Sequence, residues 1–279
     1  ADELPDRDVI VPPDEPDEKA SEISETDVEL SGIYSFPKGA KAGTFFHDIL
    51  EHLDFAQSES AVMETLVAEK LKGYGFESHW LDTICATLRK ILTVPLDPKS
   101  GDLTLSCIQN DDRLNEMEFY FPLRAVFPEK LKQIFQQNSK HQLLTNFPQS
   151  LERLQFAPTK GFMRGFMDLV FRWHDRYYLV DWKSNFLGSR IEDYNHPSLA
   201  LEMEKDFYFL QYTIYTFALD QYLRLRMPDY HYETHFGGAY YVFLRGVDPE
   251  MGPGYGIYRD RPSPNLIGAL NKELIDNRT

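Results

Sequence analysis

Cysteine is scarce in this chain, and its scarcity excludes several classes of protein. Only two cysteines occur among 279 residues, and Cys85 and Cys107 do not form a C-x-x-C pair. A disulfide scaffold is therefore excluded, as is any zinc or iron–sulfur site built on four cysteines. Two lone cysteines are typical of a reducing cytosol, so we expect a cytoplasmic protein.

Long apolar runs and a nucleotide-binding loop are missing as well. No run reaches the roughly eighteen apolar residues that a membrane-spanning helix needs, so we expect no membrane partner. The acidic, polar stretch 1–5 does not resemble a secretory signal, and a start at Ala1 rather than Met suggests a piece of something longer. No G-x-x-x-x-G-K-[ST] motif occurs, so we expect no ATP site in this chain.

Positive charge is also in short supply, since 29 basic residues face 44 acidic ones and the net charge is −15. Nucleic-acid binders usually carry a basic excess. Residues 1–30, however, hold twelve acidic and two basic residues, which leaves −5 for the remainder. A cleft that holds divalent cations recovers part of the missing positive charge. The composition therefore disfavours a sequence-reading DNA binder but is compatible with a metal-dependent phosphodiesterase.

The composition changes abruptly near Ser31. Residues 1–30 are rich in proline and acid and poor in aromatics, which predicts a disordered linker. Sixteen tyrosines and twenty phenylalanines in the chain indicate a sizeable apolar core, and we predict one folded domain over 31–279.

Hydrophobic periodicity gives a coarse order of elements. Helical spacing predicts helices over 41–56, 60–72, 77–92, 128–138 and 206–226. Aromatic and β-branched runs predict strands over 115–121, 163–173, 176–183 and 238–244. We predict a polar loop over 184–204 and a mobile, Gly/Pro-rich surface loop over 246–264. This order indicates an α/β fold with a mixed sheet and flanking helices.

The predicted hairpin 163–183 carries acidic side chains to one edge of the sheet. Asp168 shares a face of the first strand with Phe166 and Val170, and Asp181 shares a face of the second with Lys183. A D-x-K pattern by itself is usually a solvated strand end. An Asp inside an apolar strand is costly to bury without a partner, and a second nearby carboxylate adds repulsion. A bound divalent metal offsets both the cost of burial and the repulsion between the carboxylates. Oxygen ligands favour Mg²⁺ or Mn²⁺.

Two carboxylates, a metal and an amine are the groups that phosphodiester cleavage requires. Metals held by Asp168 and Asp181 would activate a water and share the charge at phosphorus. Lys183 would place a fixed positive charge beside that water or the phosphoryl oxygens. We therefore predict these three residues as catalytic.

Further polar residues are candidates for the same site. His47 and Glu51 lie four residues apart on the first helix, and His47 is a candidate third metal ligand. An ordinary core or surface histidine is the alternative. Gln211 and Tyr215 share a face of the long helix, where an aromatic core stripe is the alternative, and a buried Gln211 needs a hydrogen-bond partner such as a DNA phosphate or a catalytic carboxylate. Glu118 lies on a Phe-rich strand and, if buried, would likewise need a partner for its polar group.

Several motifs together resemble a known family. GFMRGFMDLVF at 161–171 and YYLVDWKSN at 177–185 strongly resemble the C-terminal nuclease domain of RecB, the beta subunit of exodeoxyribonuclease V. FPKGAKAGTFFH at 36–47 is similar to the family's first nuclease motif, and 116–120 and 211–215 match in kind and order. The resemblance covers roughly residues 31–260 and is far more specific than D-x-K.

The resemblance implies a fold and a set of site residues. The fold is α/β of the PD-(D/E)XK, restriction-endonuclease-like type: a mixed sheet flanked by helices, with an N-terminal helical region. The metal would be held by His47, Asp168, Asp181 and the backbone carbonyl of Trp182, with Lys183 as the catalytic lysine.

The resemblance also implies an activity, cofactors and partners. It implies a Mg²⁺-dependent exodeoxyribonuclease with endonuclease activity on single- and double-stranded DNA ends, in double-strand-break repair and recombination. Mn²⁺ would replace Mg²⁺ and Ca²⁺ would bind, with no iron–sulfur cluster. Residues 1–30 would tether the domain to a helicase region of the same polypeptide, beside RecC and RecD subunits, with docking of the RecA recombinase. Gln211 and Tyr215 would line the site.

Two other functions remain as alternatives. One is a catalytically silent nuclease-fold scaffold in a helicase–nuclease complex. Such domains usually lose a metal ligand or the lysine, and here all are present. The other is a sequence-specific restriction endonuclease, which is disfavoured because no base-reading module is recognisable and the remaining charge is not basic.

Overall fold

The computed structural model describes residues 31–56, 60–97, 102–126, 128–138 and 159–275. The predicted linker over 1–30 lies outside these ranges.

Within the described ranges, five strands form one open, mixed sheet in chain order. They are β1 (Arg113–Val126), β2 (Thr159–Trp173), β3 (Arg176–Lys183), β4 (Phe236–Phe243) and β5 (Ile257–Asp260). β1, β2 and β3 pair antiparallel, β4 joins β3 in parallel, and β5 returns antiparallel to β4. A parallel pair needs a long crossover connection, and the chain between β3 and β4 supplies it.

The described residues also form eight α-helices. They are α1 (Ala40–His52), α2 (Ser60–Gly73), α3 (Leu81–Thr93), α4 (Pro128–Asn138), α5 (His196–Lys205), α6 (Tyr208–Arg226), α7 (Tyr232–His235) and α8 (Pro264–Leu274). No helix in the described ranges is long and apolar enough to cross a membrane.

Helices cover both faces of the sheet. α1, α2 and α3 pack on one face against Val180, Trp182 and Val242, while α4, α5, α6 and α8 pack on the other against Leu179 and Phe243. Because both faces are covered, every residue of β4 is buried. From Tyr178 to Lys183, the side chains of β3 are buried as well, polar ones included.

Local sequence explains where the site-bearing helix α1 begins and which face it buries. The residue before it, Gly39, has φ 94°, a conformation that glycine adopts without steric cost. Phe45, Phe46 and Ile49 recur at helical spacing and are fully buried in the core under β3. The packing of this apolar face fixes the orientation of the polar residues between these positions.

Most of the predicted elements are confirmed, and the sheet flanked by helices is the predicted fold class. Two predicted loops are wrong. The segment 184–204 includes most of α5, which begins where Asn195 caps the amide of Ser198 and Pro197 fits the first turn. The segment 246–264 includes β5, and Val247 and Tyr258 are buried. Four residues are too few for a strand's alternation to stand out among glycines and prolines. The sequence prediction also missed α8 entirely.

Three glycines of the segment 246–264 test this correction by alanine substitution. Gly256 has φ 68°, and a Cβ there would lie 2.4 Å from the backbone carbonyl of Gly246. Gly252 has φ 70° with open space around it, and Gly254 has neither constraint. We expect Gly256→Ala to lower the free energy of unfolding by about 2 kcal/mol or more.

The other two substitutions separate strain from steric overlap. We expect a loss of about 1 kcal/mol for Gly252→Ala and a change within about 0.5 kcal/mol for Gly254→Ala. Urea denaturation of the three variants measures the series. Equal, negligible losses would show that 246–264 is the mobile loop first predicted.

Candidate active site

The end of β3 places an ion pair inside the protein. Asp181 lies opposite Tyr241 and Lys183 opposite Phe243 of β4, so both side chains point to the face that α6 covers. Their side chains are only 6% and 2% exposed, and Lys183 Nζ lies 2.8 Å from Asp181 Oδ2. Lys183 Nζ also lies 4.1 Å from the ring centroid of Tyr208 on α6. The ammonium is held by a carboxylate on one side and an aromatic face on another.

Asp168 stands where the β2–β3 ladder stops. The last register pair on that side is Leu169 with Val180, and Asp168 is the next residue along β2. Its Oδ2 accepts a hydrogen bond from the backbone amide of Trp182 at 2.8 Å. A carboxylate thus takes the place of the missing ladder partner, which holds Asp168 beside the Asp181–Lys183 pair.

His47 reaches the same place from α1. Its Nε2 lies 3.1 Å from the carbonyl oxygen of Trp182, and its Nδ1 lies 3.4 Å from Asp168 Oδ1. The imidazole is buried, with a side-chain exposure of 6%. The structure therefore brings together three of the predicted ligands, namely His47, Asp168 and the Trp182 carbonyl.

A further carboxylate belongs to this group, and the sequence analysis did not select it. Glu116 of β1 has ligand atoms that lie with those of His47 and Asp168 within 4.8 Å of one another. Its φ of 48° is unusual for a non-glycine residue, and it lies between the register pairs Asn115–Leu169 and Met117–Met167. This local irregularity turns the side chain toward the site. Its only sequence signal was an acid on an aromatic strand, which Glu118 shares.

The donors fit a divalent cation. Two carboxylates, an imidazole and the nearby Trp182 carbonyl supply the oxygen and nitrogen ligands that such ions take in proteins. Asp181 is not in this three-residue group, and its carboxylate forms an ion pair with Lys183. These side chains could therefore hold a metal ion.

The two buried aspartates differ in their electrostatic environment. Burial raises the pKa of Asp181, and the charge of Asp168 adds to that rise although Lys183 opposes it. Burial also acts to raise the pKa of Asp168, but His47, Lys183 and the Trp182 amide outweigh it and hold that pKa below its usual value. Asp168 is thus the readier anion of the two, and Asp181 depends more on a neighbouring cation.

Gln211 and Tyr215 line the site from α6. Tyr241 donates to Gln211 Oε1 at 2.9 Å, and Gln211 Nε2 donates to the Tyr215 hydroxyl at 3.1 Å. The partners of the Gln211 amide are therefore tyrosines rather than a catalytic carboxylate. Burial and the charges of Asp181 and Asp168 raise the pKa of Tyr215, so its hydroxyl remains a neutral donor beside the acids.

Glu51 and Glu118 are not brought into the group. The Glu51 carboxylate belongs to a second cluster, with Asp48 and His52 of α1. Glu118 is half exposed and forms an ion pair with Arg164. A regular strand would place Glu116 and Glu118 on one face, but the backbone at Glu116 is irregular, with φ 48°, and the two side chains have different partners.

The fold and the site define a class of protein. A mixed sheet flanked by helices, with acidic residues and a lysine at the end of a central strand, is an α/β domain of the PD-(D/E)XK-like type. The chain is homologous to a segment of RecB. No protein-family model matches it.

Curated relatives support the assignment of this chain to the RecB family. The chain is 40% identical to the RecBCD enzyme subunit RecB of Escherichia coli over 258 residues, which cover 88% of this chain and 21% of that protein. It is 37% identical to RecB of Haemophilus influenzae over 242 residues, with 86% and 19% covered. It is 31% identical to RecB of Mycobacterium tuberculosis over 269 residues, with 88% and 24% covered. The chain thus spans about a fifth of the length of these relatives.

Glu116 and Glu118 form a matched pair for testing the metal group. We expect Glu116→Gln to weaken Mn²⁺ binding by roughly tenfold or more, because losing a ligand costs at least as much as losing an outer-sphere partner. Glu118→Gln removes the same charge from the same strand, outside the group, and should leave affinity within about twofold. Isothermal titration calorimetry with Mn²⁺ makes the comparison. Equal affinities for the two variants would contradict the assignment of Glu116.

Proposed function

We propose that this chain is a metal-dependent DNA nuclease domain that hydrolyses phosphodiester bonds. The observation that supports it is the convergence of His47, Glu116 and Asp168 beside the buried Asp181–Lys183 ion pair. Burying two carboxylates, an ammonium and an imidazole at one sheet edge is costly for stability alone. Such an arrangement is instead typical of a site that handles charge.

The proposed site has a cation-binding part and a charge-stabilising part. His47, Asp168, Glu116, Asp181 and the Trp182 carbonyl would hold the divalent cation, which we propose to be Mg²⁺ with Mn²⁺ as a substitute. When bound, such a cation supplies Lewis-acid stabilisation of a phosphoryl oxygen. The ligands of this chain would hold the cation in a defined position, because the backbone amide of Trp182 donates a hydrogen bond that fixes the Asp168 carboxylate.

Lys183 has the position of a fixed positive charge in the reaction. Its ammonium is buried, paired with Asp181 and packed on Tyr208, so little reorganisation is needed when negative charge develops on a phosphoryl oxygen or on the attacking water. Asp181, which pairs with this ammonium, would help to hold the cation that activates the attacking water. Tyr215 would donate a hydrogen bond at the rim of the site.

The relatives suggest the setting of this activity. Proteins named RecBCD enzyme subunit RecB match nearly the whole chain. We therefore propose that the domain acts in the cytoplasm within a helicase–nuclease of the exodeoxyribonuclease V type. It would act on DNA ends, beside RecC and RecD, in double-strand-break repair and recombination. Docking of RecA on its surface belongs to the same proposal.

Asp181→Ala tests the nuclease proposal directly. Removing this carboxylate should abolish cleavage of linear DNA, by at least about 1,000-fold in kcat, because a cation ligand and the partner that holds the Lys183 ammonium are lost together. The variant should remain folded but with a lower thermal unfolding midpoint, because the buried Lys183 ammonium loses its carboxylate partner; activity is therefore compared below that midpoint. Asp111→Ala, which removes an exposed aspartate, is the control and should keep full activity. Full activity of purified Asp181→Ala protein would overturn the proposal.

Lys183→Gln separates the charge-stabilising part from the cation-binding part. We expect kcat to fall by about 100-fold or more while Mn²⁺ affinity changes by less than about threefold, since no ligand is lost. Lys205→Gln is the matched control, because Lys205 is 72% exposed and pairs only with Glu202 in the described ion pairs. A loss of Mn²⁺ binding with unchanged turnover would show that Lys183 has another role.

Calorimetry of the parent chain distinguishes the nuclease from a silent scaffold. A nuclease site should bind Mn²⁺ or Mg²⁺ at millimolar concentration or below, with heat that disappears in Asp168→Ala. An absence of divalent binding in the parent chain would favour the scaffold.

A further inference from the structure

Arg245 is a buried cation that the proposed chemistry does not use. It lies in the turn that follows β4, two residues beyond Phe243, the register partner of Lys183. The residue is 1% exposed. Burial at this level lowers the pKa of its guanidinium.

The guanidinium is surrounded by backbone carbonyls. Nε donates to Ser184 O at 3.2 Å, Nη1 donates to Ile33 O at 2.6 Å and to Phe36 O at 3.1 Å, and Nη2 donates to Pro37 O at 2.7 Å. No carboxylate among the described residues lies within ion-pair distance of it. A buried cation without a counter-charge is costly, so these four hydrogen bonds stabilise a specific arrangement of chain segments.

The carbonyls belong to two segments that flank the site. Ser184 is the residue directly after Lys183, and its carbonyl fixes the backbone where β3 ends. The segment 33–37 leads into α1, which carries His47. Arg245 therefore joins the end of β3, the end of β4 and the entry to α1 at one edge of the sheet.

We propose that Arg245 is a positioning residue for Lys183, a role that rests on the proposed function. By holding Ser184, it keeps the end of β3 in register and the ammonium between Asp181 and the Tyr208 ring. Lys183 and Phe243 form the last pair of the β3–β4 ladder, so without Arg245 the chain directly after Lys183 would lose its anchor and the ammonium would shift from its place. A lysine at position 245 cannot replace it, because a single ammonium cannot span carbonyls that a planar fork reaches in different directions.

The test compares Arg245→Lys with Arg261→Lys in the full 279-residue chain. Arg261 also donates to two backbone carbonyls, those of Tyr232 and Glu233. It follows β5 near Gly238, toward the opposite end of β4. The same chemical change is thus made away from the site, and it should leave turnover and Lys183 unaffected.

The first readout does not depend on activity. Lysine acetylation by a water-soluble active ester is followed by mass spectrometry, with exposed Lys205 as the internal reference. Lys183 is 2% exposed in the native chain and should label slowly. Arg245→Lys should raise the labelling rate of Lys183 at least fivefold, and Arg261→Lys should not. Unchanged labelling of Lys183 in Arg245→Lys would overturn the proposal.

The second readout is DNA cleavage, measured below the unfolding midpoint of every variant. Arg245→Lys should lower kcat by the order of 100-fold, because a displacement of about 1 Å can cost that much, with KM for DNA changed less than threefold. In the Lys183→Gln background the same substitution should change kcat less than twofold. An equal loss in both backgrounds would overturn the proposal. If the parent chain does not cleave DNA, the proposed function fails, and the labelling result alone decides the role of Arg245.

Discussion

The site depends on the cost of burying carboxylates next to one another. Asp168 and Asp181 lie within a sheet whose two faces are covered by helices, and their side chains are only 13% and 6% exposed, so water solvates them little. Each has a partner of its own: the Trp182 amide and His47 for the first, the Lys183 ammonium for the second. This division of partners makes the acids tolerable in the folded protein, and it leaves room for a cation to complete the charge balance.

The architecture converts a local hairpin into a site with groups from four places in the chain. β2 and β3 bring Asp168, Asp181 and Lys183 together by simple pairing. β1 adds Glu116 through an irregular backbone, and α1 adds His47 because its apolar face packs under β3. The last two arrive through tertiary packing, so their placement is as stable as the core itself.

The sequence predicted best the helices and strands whose apolar residues recur at a regular spacing. The helix over Pro128–Asn138 and the strand over Arg176–Lys183 match the predicted ranges, since apolar residues recur there at regular spacing. The weak signals failed for physical reasons. β5 has four residues among glycines and prolines, and α5 begins after a polar stretch whose capping residues resemble those of a loop. Glu118 was selected only as an acid on a Phe-rich strand, and because a regular strand places Glu116 and Glu118 on one face, the sequence could not tell which of them joins the site.

By itself the sequence determined that Asp168, Asp181 and Lys183 lie on one hairpin, because a short turn pairs the two strands and a period of two sets the face that each side chain occupies. It also determined the fold class, through the order of periodic segments. Only the tertiary structure decided which acid of β1 joins them, which partners Gln211 takes, and that Arg245 ties the two flanking segments together. Those outcomes depend on contacts across up to 212 positions of the chain, and no local pattern encodes distances of that kind.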